Sequence, residues 1–341
     1  MRARRVGPLR WVAGLAAVML IVAGCGSGAT PAAGGGGSAP GGVRTIKIAL
    51  GATTAASIPL WVGIDKGIFA KHNLDVQMIT LSGTKAPPAL ASGSVQISDS
   101  GISDLAGAIV AGSPITIVGT TYPFQFFRMY GKKGMTSPSQ LAGKTIAASS
   151  AGSASDTAIE SAMAASGLQR GKDYQVTFIG DNGARSAALE QGVVDAIIVS
   201  PPTAQLVEQK GFPDIADLIS DKAPYGYSSF GVLKSWAADN RAELVDFLSA
   251  YAEAVDASRT DTQAASAAAT KNLNLTDPAV VADVLKVSVA VMPAFPSTDV
   301  ATVAATTKLS QNPAVVKADP SSLIDNSFVD EAKKKGTAGG S

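Results

Sequence analysis

From Val43 onward, short β-branched runs alternate with longer Ala-rich stretches, and the two spacings predict different elements. Residues 46–50, 74–81, 95–98 and 115–119 read as strands, with helices expected over 58–71, 86–92 and 105–111. A second series follows at 125–131, 145–148, 157–166, 175–179, 186–191 and 196–199. Beyond about Pro224 the pattern turns mainly helical, including 241–258 and 277–291. Strands alternating with helices in this way predict an α/β fold with parallel strand pairs.

An internal echo links the two series. Ala89-Leu90-x-x-Gly93-x-Val95-Gln96 recurs as Ala188-Leu189-x-x-Gly192-x-Val194-Asp195. In both copies a helix stops at a Gly suited to a left-handed cap and a strand begins almost at once. The pattern reads either as a supersecondary unit duplicated in two lobes or as two instances of a common helix-Gly-strand junction. Parallel sheets place ligands at the carboxyl ends of their strands, so two such lobes suggest a binder that closes like a hinge.

The start of the chain follows a different grammar. Arg2, Arg4, Arg5 and Arg10 precede an uncharged, mostly apolar run over 11–24. At ~1.5 Å per residue that run falls short of a ~30 Å hydrocarbon core, so it reads as an export signal rather than a permanent span. It ends in Val22-Ala23-Gly24-Cys25, which resembles the bacterial lipobox. The expected plan is a signal peptide over 1–24, then an acylated Cys25 and a flexible Gly/Ala/Ser/Thr/Pro tether through residue 42. At the other end, 333–341, beginning Lys333-Lys334-Lys335, reads as a disordered tail.

Composition removes whole classes of function. With 46% hydrophobic and 16% charged residues among 341, the chain can bury real cores and is not disordered throughout. The 28 Lys and Arg against 27 Asp and Glu leave no basic excess for nucleic acid. One Cys and one His cannot build a disulfide framework, a zinc cage or a His-paired thiol, so neither a metal nor a cofactor is expected.

Ile58-Pro59-Leu60-Trp61-Val62-Gly63-Ile64-Asp65-Lys66-Gly67-Ile68-Phe69, then Asn73-Leu74-Asp75-Val76, Ala89-Leu90-Ala91-Ser92-Gly93 and Gly192-Val193-Val194-Asp195-Ala196 together resemble the solute-binding proteins of the nitrate, sulfonate and taurine type, with their thiamine-precursor-like members. The likeness covers roughly 44–310. It implies an α/β, two-lobed periplasmic-binding-protein-like fold of type II, with a mixed sheet in each lobe and an interlobe ligand cleft. Lobe 1 would comprise 43–121 plus 226–332 and lobe 2 would comprise 122–225. It further implies a monomeric, non-enzymatic, extracytoplasmic receptor, lipid-anchored to the bacterial cell membrane. Such a receptor takes up a small, sulfonate- or nitrate-like anion and hands it to an ABC permease with its ATPase subunit. The alternatives are an enzyme on the same fold, of pyrimidine-precursor or menaquinone type, or a sensor or interaction lipoprotein. The pyrimidine synthases resemble a pattern with several cysteines and an active-site histidine, which Cys25 and His72 do not reproduce.

Four Ser/Thr-rich turns fall at carboxyl ends of expected strands, where helix N-termini offer unpaired amides to an anion. They supply the candidate ligand-binding residues Thr54, Ser57, Ser100, Gly152, Ser153 and Ser200, with Tyr227 as a cleft wall and Cys25 as the lipidation site. Ser57 is the expected N-cap of the first helix, and Ser153 with Asp156 has capping-box spacing. For each residue, capping alone is the competing role. Arg128 and Arg185 could meet an anion or form ion pairs. Asp99 and Asp104 point the other way: either one in the cleft would favour a solute with an amine or hydroxyl. His72 reads as a helix-end surface cap, and Tyr122, Phe124, Phe126 and Phe127 as cleft-mouth aromatics or a strand face.

Overall fold

The computed structural model describes residues 42–81 and 83–338. The leader, Cys25 and nearly all of the tether lie outside these residues.

Two five-stranded mixed sheets organise the chain. The first contains β1 (Arg44–Leu50), β2 (Leu74–Thr80), β3 (Ile97–Ser100), β4 (Ile115–Phe124) and β10 (Pro224–Leu233), in the order β2-β1-β3-β10-β4. The second contains β5 (Arg128–Gly131), β6 (Thr145–Ala148), β7 (Gln175–Phe178), β8 (Ala196–Val199) and β9 (Asp214–Asp217), in the order β7-β6-β8-β5-β9. In each sheet the first three strands run parallel and the fourth lies antiparallel between the third and the fifth. Position for position, the two orders match. The central strand β8 reads as a continuous apolar run, Ala196-Ile197-Ile198-Val199, and is buried at every residue.

The echo marks equivalent corners of the two sheets. Gly93 and Gly192 take left-handed φ of 74° and 72°. At the first corner the Ser94 amide donates to Ala89 O at 3.1 Å and that of Gly93 to Leu90 O at 2.9 Å. At the second the Val193 amide donates to Ala188 O at 2.9 Å and that of Gly192 to Leu189 O at 3.0 Å. These are the paired bonds of a Gly-terminated helix cap. Val95 and Val194 then turn inward into the two cores.

Three expectations change. The helix over 58–71 is two, Ile58–Asp65 and Ile68–Lys71, separated by Gly67 at φ 67°. The region after Pro224 opens with a strand, β10, not a helix. Its sequence, Pro-Tyr-Gly-Tyr-Ser-Ser-Phe-Gly-Val-Leu, has turn-like composition, yet small residues are what this position demands. A Cβ on Gly226 would stand 2.1 Å from Ile102 Cδ1, and one on Gly231 2.5 Å from Leu105 Cδ2. The helix Ile102–Val110 thus lies directly on β10. Gly226→Ala should therefore lower stability by about 1–3 kcal/mol through overpacking, measured as a reduced urea midpoint at unchanged slope. An unaltered midpoint would contradict that packing.

The third change concerns the tail. Residues 333–338 belong to the helix Ser327–Ala338, which buries Phe328, Val329 and Ala332. Along it, Arg241 pairs with Glu331 at 2.8 Å and Lys335 with Asp246. The apolar trio precedes the lysines at helical spacing, so the docked helix carries the charged segment with it.

Candidate functional site

A cavity of about 370 Å³ lies at the carboxyl ends of strands from both sheets. The turns entering it are local consequences of sequence. After β1, Thr54 is extended at φ −142° and its Oγ1 accepts from the Ala56 amide at 3.3 Å, starting the 3₁₀ turn Ala55–Ser57. Ser57 makes no side-chain cap, contrary to expectation, because Thr54 already holds that role; the Ser57 hydroxyl lines the cavity instead. After β6, Ser153 caps the helix Ala154–Met163, accepting from the Asp156 amide at 3.3 Å. Its hydroxyl also lies 2.8 Å from Ser149 Oγ and 3.1 Å from Ser155 Oγ.

Six of the seven residues proposed from sequence converge here: Thr54, Ser57, Ser100, Ser153, Ser200 and Tyr227 all line the cavity. Gly152 does not. It turns the chain at φ 75°, and its amide donates to Asp156 Oδ2 at 2.8 Å, facing its own helix rather than the cavity. Tyr227 reaches from β10 so that its hydroxyl lies beside those of Thr54 and Ser200, joining the two sheets, and burial pushes its pKa up. Its ring packs edge-on against Phe127 and Phe126, each at 5.0 Å. Of the four aromatics, Phe127 lines the cavity, while Tyr122 is buried beneath it with its hydroxyl donating to Val287 O at 2.6 Å.

The charged candidates separate. Arg128 turns away, among Glu208 at 3.3 Å, Asp217 at 3.4 Å and Asp214 at 3.6 Å. His72 sits 2.7 Å from Glu253 in a surface pair. Arg185 lines the cavity, buried, with Nε donating to Ile198 O at 3.0 Å and the terminal nitrogens donating to Gly180 O and Asn182 Oδ1. Desolvation lowers its pKa to about 10, which leaves it charged at neutral pH. Asp99 and Asp104 line the cavity too, and burial raises each to about 7. Asp99 accepts from Ser228 Oγ. Asp104 Oδ2 accepts from the Ala154 amide at 3.1 Å, across from one sheet's elements to the other's, and Asp104 Oδ1 is buried without a partner.

That contact corrects the expected chemistry. The amide foreseen to hold an anion, at the start of the helix Ala154–Met163, is already engaged by a carboxylate of the protein. The Ser153 amide donates to Ser150 O at 3.2 Å, that of Ala55 to Pro201 O at 3.3 Å and that of Ser57 to Thr54 O at 3.1 Å. Side-chain hydroxyls, not these main-chain amides, face the cavity. Ser153→Ala should cost about 1 kcal/mol of stability from the lost cap and hydroxyl cluster, read as a lowered melting temperature. No loss would assign the cluster no structural role.

Thr80, Asn182 and Ser228 line the cavity without having been foreseen. Thr80 ends β2 and Asn182 follows β7, so the rule of turns after strands, applied to every strand, finds both. Ser228 was hidden with β10. Among the described residues, no group of three or more His, Cys, Asp or Glu is placed to hold a metal ion, and no helix is long and apolar enough to cross a membrane.

Two lobes, each on its own mixed sheet, with a cavity at the strand ends between them, define the periplasmic-binding-protein-like class. Within it, the chain belongs to the NMT1/THI5 like family, whose match spans residues 54–265. Solved structures of the same fold include the aliphatic sulphonate binding protein SsuA of Escherichia coli, 19% identical, covering 84% of this chain and 91% of that one at a TM-score of 0.64. The alkanesulfonate-binding SsuA of Xanthomonas axonopodis pv. citri, bound to MOPS, is 18% identical over 84% and 97% of the two chains, with a TM-score of 0.66. The nitrate-binding protein NrtA of Synechocystis PCC 6803 is 17% identical over 68% and 67%, with a TM-score of 0.59. No curated protein sequence matches the chain.

Proposed function

We propose that this chain is the extracytoplasmic solute-binding receptor of an ABC importer, which closes over one small molecule and delivers it to a permease driven by its ATPase subunit. The observation that carries this reading is the cavity of about 370 Å³, bounded by both lobes and walled by hydroxyls and two rings. That volume suits a small polar solute. Export and acylation at Cys25 would tether the monomer to the membrane face, with lobe 1 formed by 43–121 and 226–332 and lobe 2 by 122–225. The hinge would lie where β4 and β10 pass between the lobes, since their pairing changes register between Pro224 and Ser228. A register irregularity lets paired strands bend.

Binding without turnover is part of the proposal. His72, paired with Glu253, is not among the cavity-lining residues, and the base found against a cavity hydroxyl is Asp99, which accepts from Ser228 Oγ with no imidazole between them. Asp99 and Asp104 would be the acid–base groups of an enzyme on this fold; here they are assigned to holding the solute. A thermal-shift screen over sulfonates, nitrate, polyamines and pyrimidines tests the receptor reading, because a ligand at 100 times Kd adds ~2.7 kcal/mol. At least one class should raise the melting temperature. A null result across the screen, together with protein that carries no small molecule when isolated from its host, would overturn the reading.

A further inference from the structure

The receptor reading leaves two acids in the cavity without a counter-charge, and we propose that the solute supplies it: an amino or amidine-type N–H group held by Asp99 and Asp104. This inference rests on the receptor reading and sharpens its solute class. Asp99 is 6% exposed and Asp104 7%. A carboxylate so deeply buried is strongly disfavoured unless a cation or several donors meet it. Asp99 has the Ser228 hydroxyl, and Asp104 has the Ala154 amide with the backbone amides of Gly101 and Asp104 acting beside it, while Asp104 Oδ1 is buried without a hydrogen-bond partner.

Among the described residues, no Lys, Arg or His forms an ion pair with either acid. The titratable groups acting around Asp99 are Tyr227 and Tyr251, and those around Asp104 are Asp156 and Tyr225. Asp156 is itself paired with Arg170 at 2.8 Å. Arg185 lines the same cavity but is held by carbonyl oxygens, so a solute carrying an acidic end beside its amine is also accommodated. A bare oxyanion meets Arg185, whose nitrogens are already bonded to carbonyl oxygens, but also two acids and the engaged amides of Ala55, Ser57, Ser153 and Ala154. A donor-bearing cation meets two buried carboxyls, one of them with an oxygen that lacks a donor, beside the rings of Phe127 and Tyr227 that favour a positive neighbour. Because burial holds both acids partly protonated near neutral pH, a cationic solute must displace protons as it binds.

The test uses the full chain, purified from its host in mild detergent, and calorimetry with matched probes: taurine against ethanesulfonate, benzylamine against benzyl alcohol, and 1,4-diaminobutane. Any solute retained from the host is identified by mass. The proposal expects a basic nitrogen in the retained solute and at least one amine probe that binds more than about 30-fold tighter than its amine-free partner, the loss that follows from removing one member of a buried charge pair. Binding at pH 6.5 should release protons, seen as a buffer-dependent heat, and Asp99→Asn should weaken it by a similar factor. Should Asp99→Asn fail to fold, Asp104→Asn and the proton release carry the same decision. If ethanesulfonate or nitrate binds as well as any amine, with no proton release and no effect of Asp99→Asn, the inference falls while the receptor reading stands. If no probe binds and no solute is retained, both fall.

Discussion

Gly101→Leu is expected to leave the protein folded and to abolish solute capture. Gly101 precedes the helix Ile102–Val110 in the first lobe, and a Cβ there would stand 2.8 Å from Ala154 Cβ, the first residue of a second-lobe helix. It would also meet Asp104 Oδ2 at 2.9 Å, the oxygen that accepts from Ala154 across the cleft. A leucine at this point acts as a wedge between lobes, whereas an opened cleft gives it room. The cross-lobe contacts that close the cavity would separate together, including Tyr225 to Ala154 O at 2.6 Å and the Thr84 amide to Ser150 Oγ at 3.2 Å. The expected result is a native-like circular dichroism spectrum with solute affinity reduced at least about 100-fold, equivalent to ~2.7 kcal/mol. Unchanged affinity would mean that capture does not require this closure.

Asp99→Asn and Asp104→Asn should each stabilise the unliganded protein at pH 8. In the folded chain both acids are raised from 3.8 to about 7, so between pH 4 and 7 the native state keeps protons that the unfolded chain has released. Stability from these groups is therefore fully present at low pH, declines as pH rises through that window, and levels off above about 7. At 1.36 kcal/mol per pKa unit the combined effect is on the order of several kcal/mol. Asparagine keeps an oxygen for Ser228 at position 99 and for the Ala154 amide at position 104 while removing the buried charge. Urea unfolding at pH 5 and pH 8 would show the wild type losing stability between the two and the variants losing less. Variants weaker than wild type at both pH values would show that the carboxylates stabilise the unliganded fold rather than waiting for a partner. The same substitutions should impair binding, so stability and capture move in opposite directions, as for groups kept for function at a structural cost.

The fold was legible where local chemistry repeats. Gly93 and Gly192 marked matching corners because a left-handed cap needs glycine, and the matched sheet orders rest on those corners. β10 was illegible because its glycines answer to the helix above it rather than to its own backbone, and a contact 124 residues away in sequence leaves no local period. The site was legible as a set of turns: strand ends supplied Thr54, Ser57, Ser100, Ser153 and Ser200. What could not be read was direction. Gly152 and Ser153 are neighbours, yet one amide faces its own helix and the other residue's hydroxyl faces the cavity. Asp104 reaching the Ala154 amide depends on how two lobes meet, and it engages an amide that the turn pattern had left open.

The central claim is that the cavity holds one small molecule and does not transform it. Native mass spectrometry of the protein isolated from its host, before and after denaturation and again after prolonged incubation, addresses this directly. The expected outcome is a single species released intact on unfolding, with a mass that incubation does not change. Release of a converted product, or a protein mass that never includes a guest under conditions where the fold persists, would contradict it.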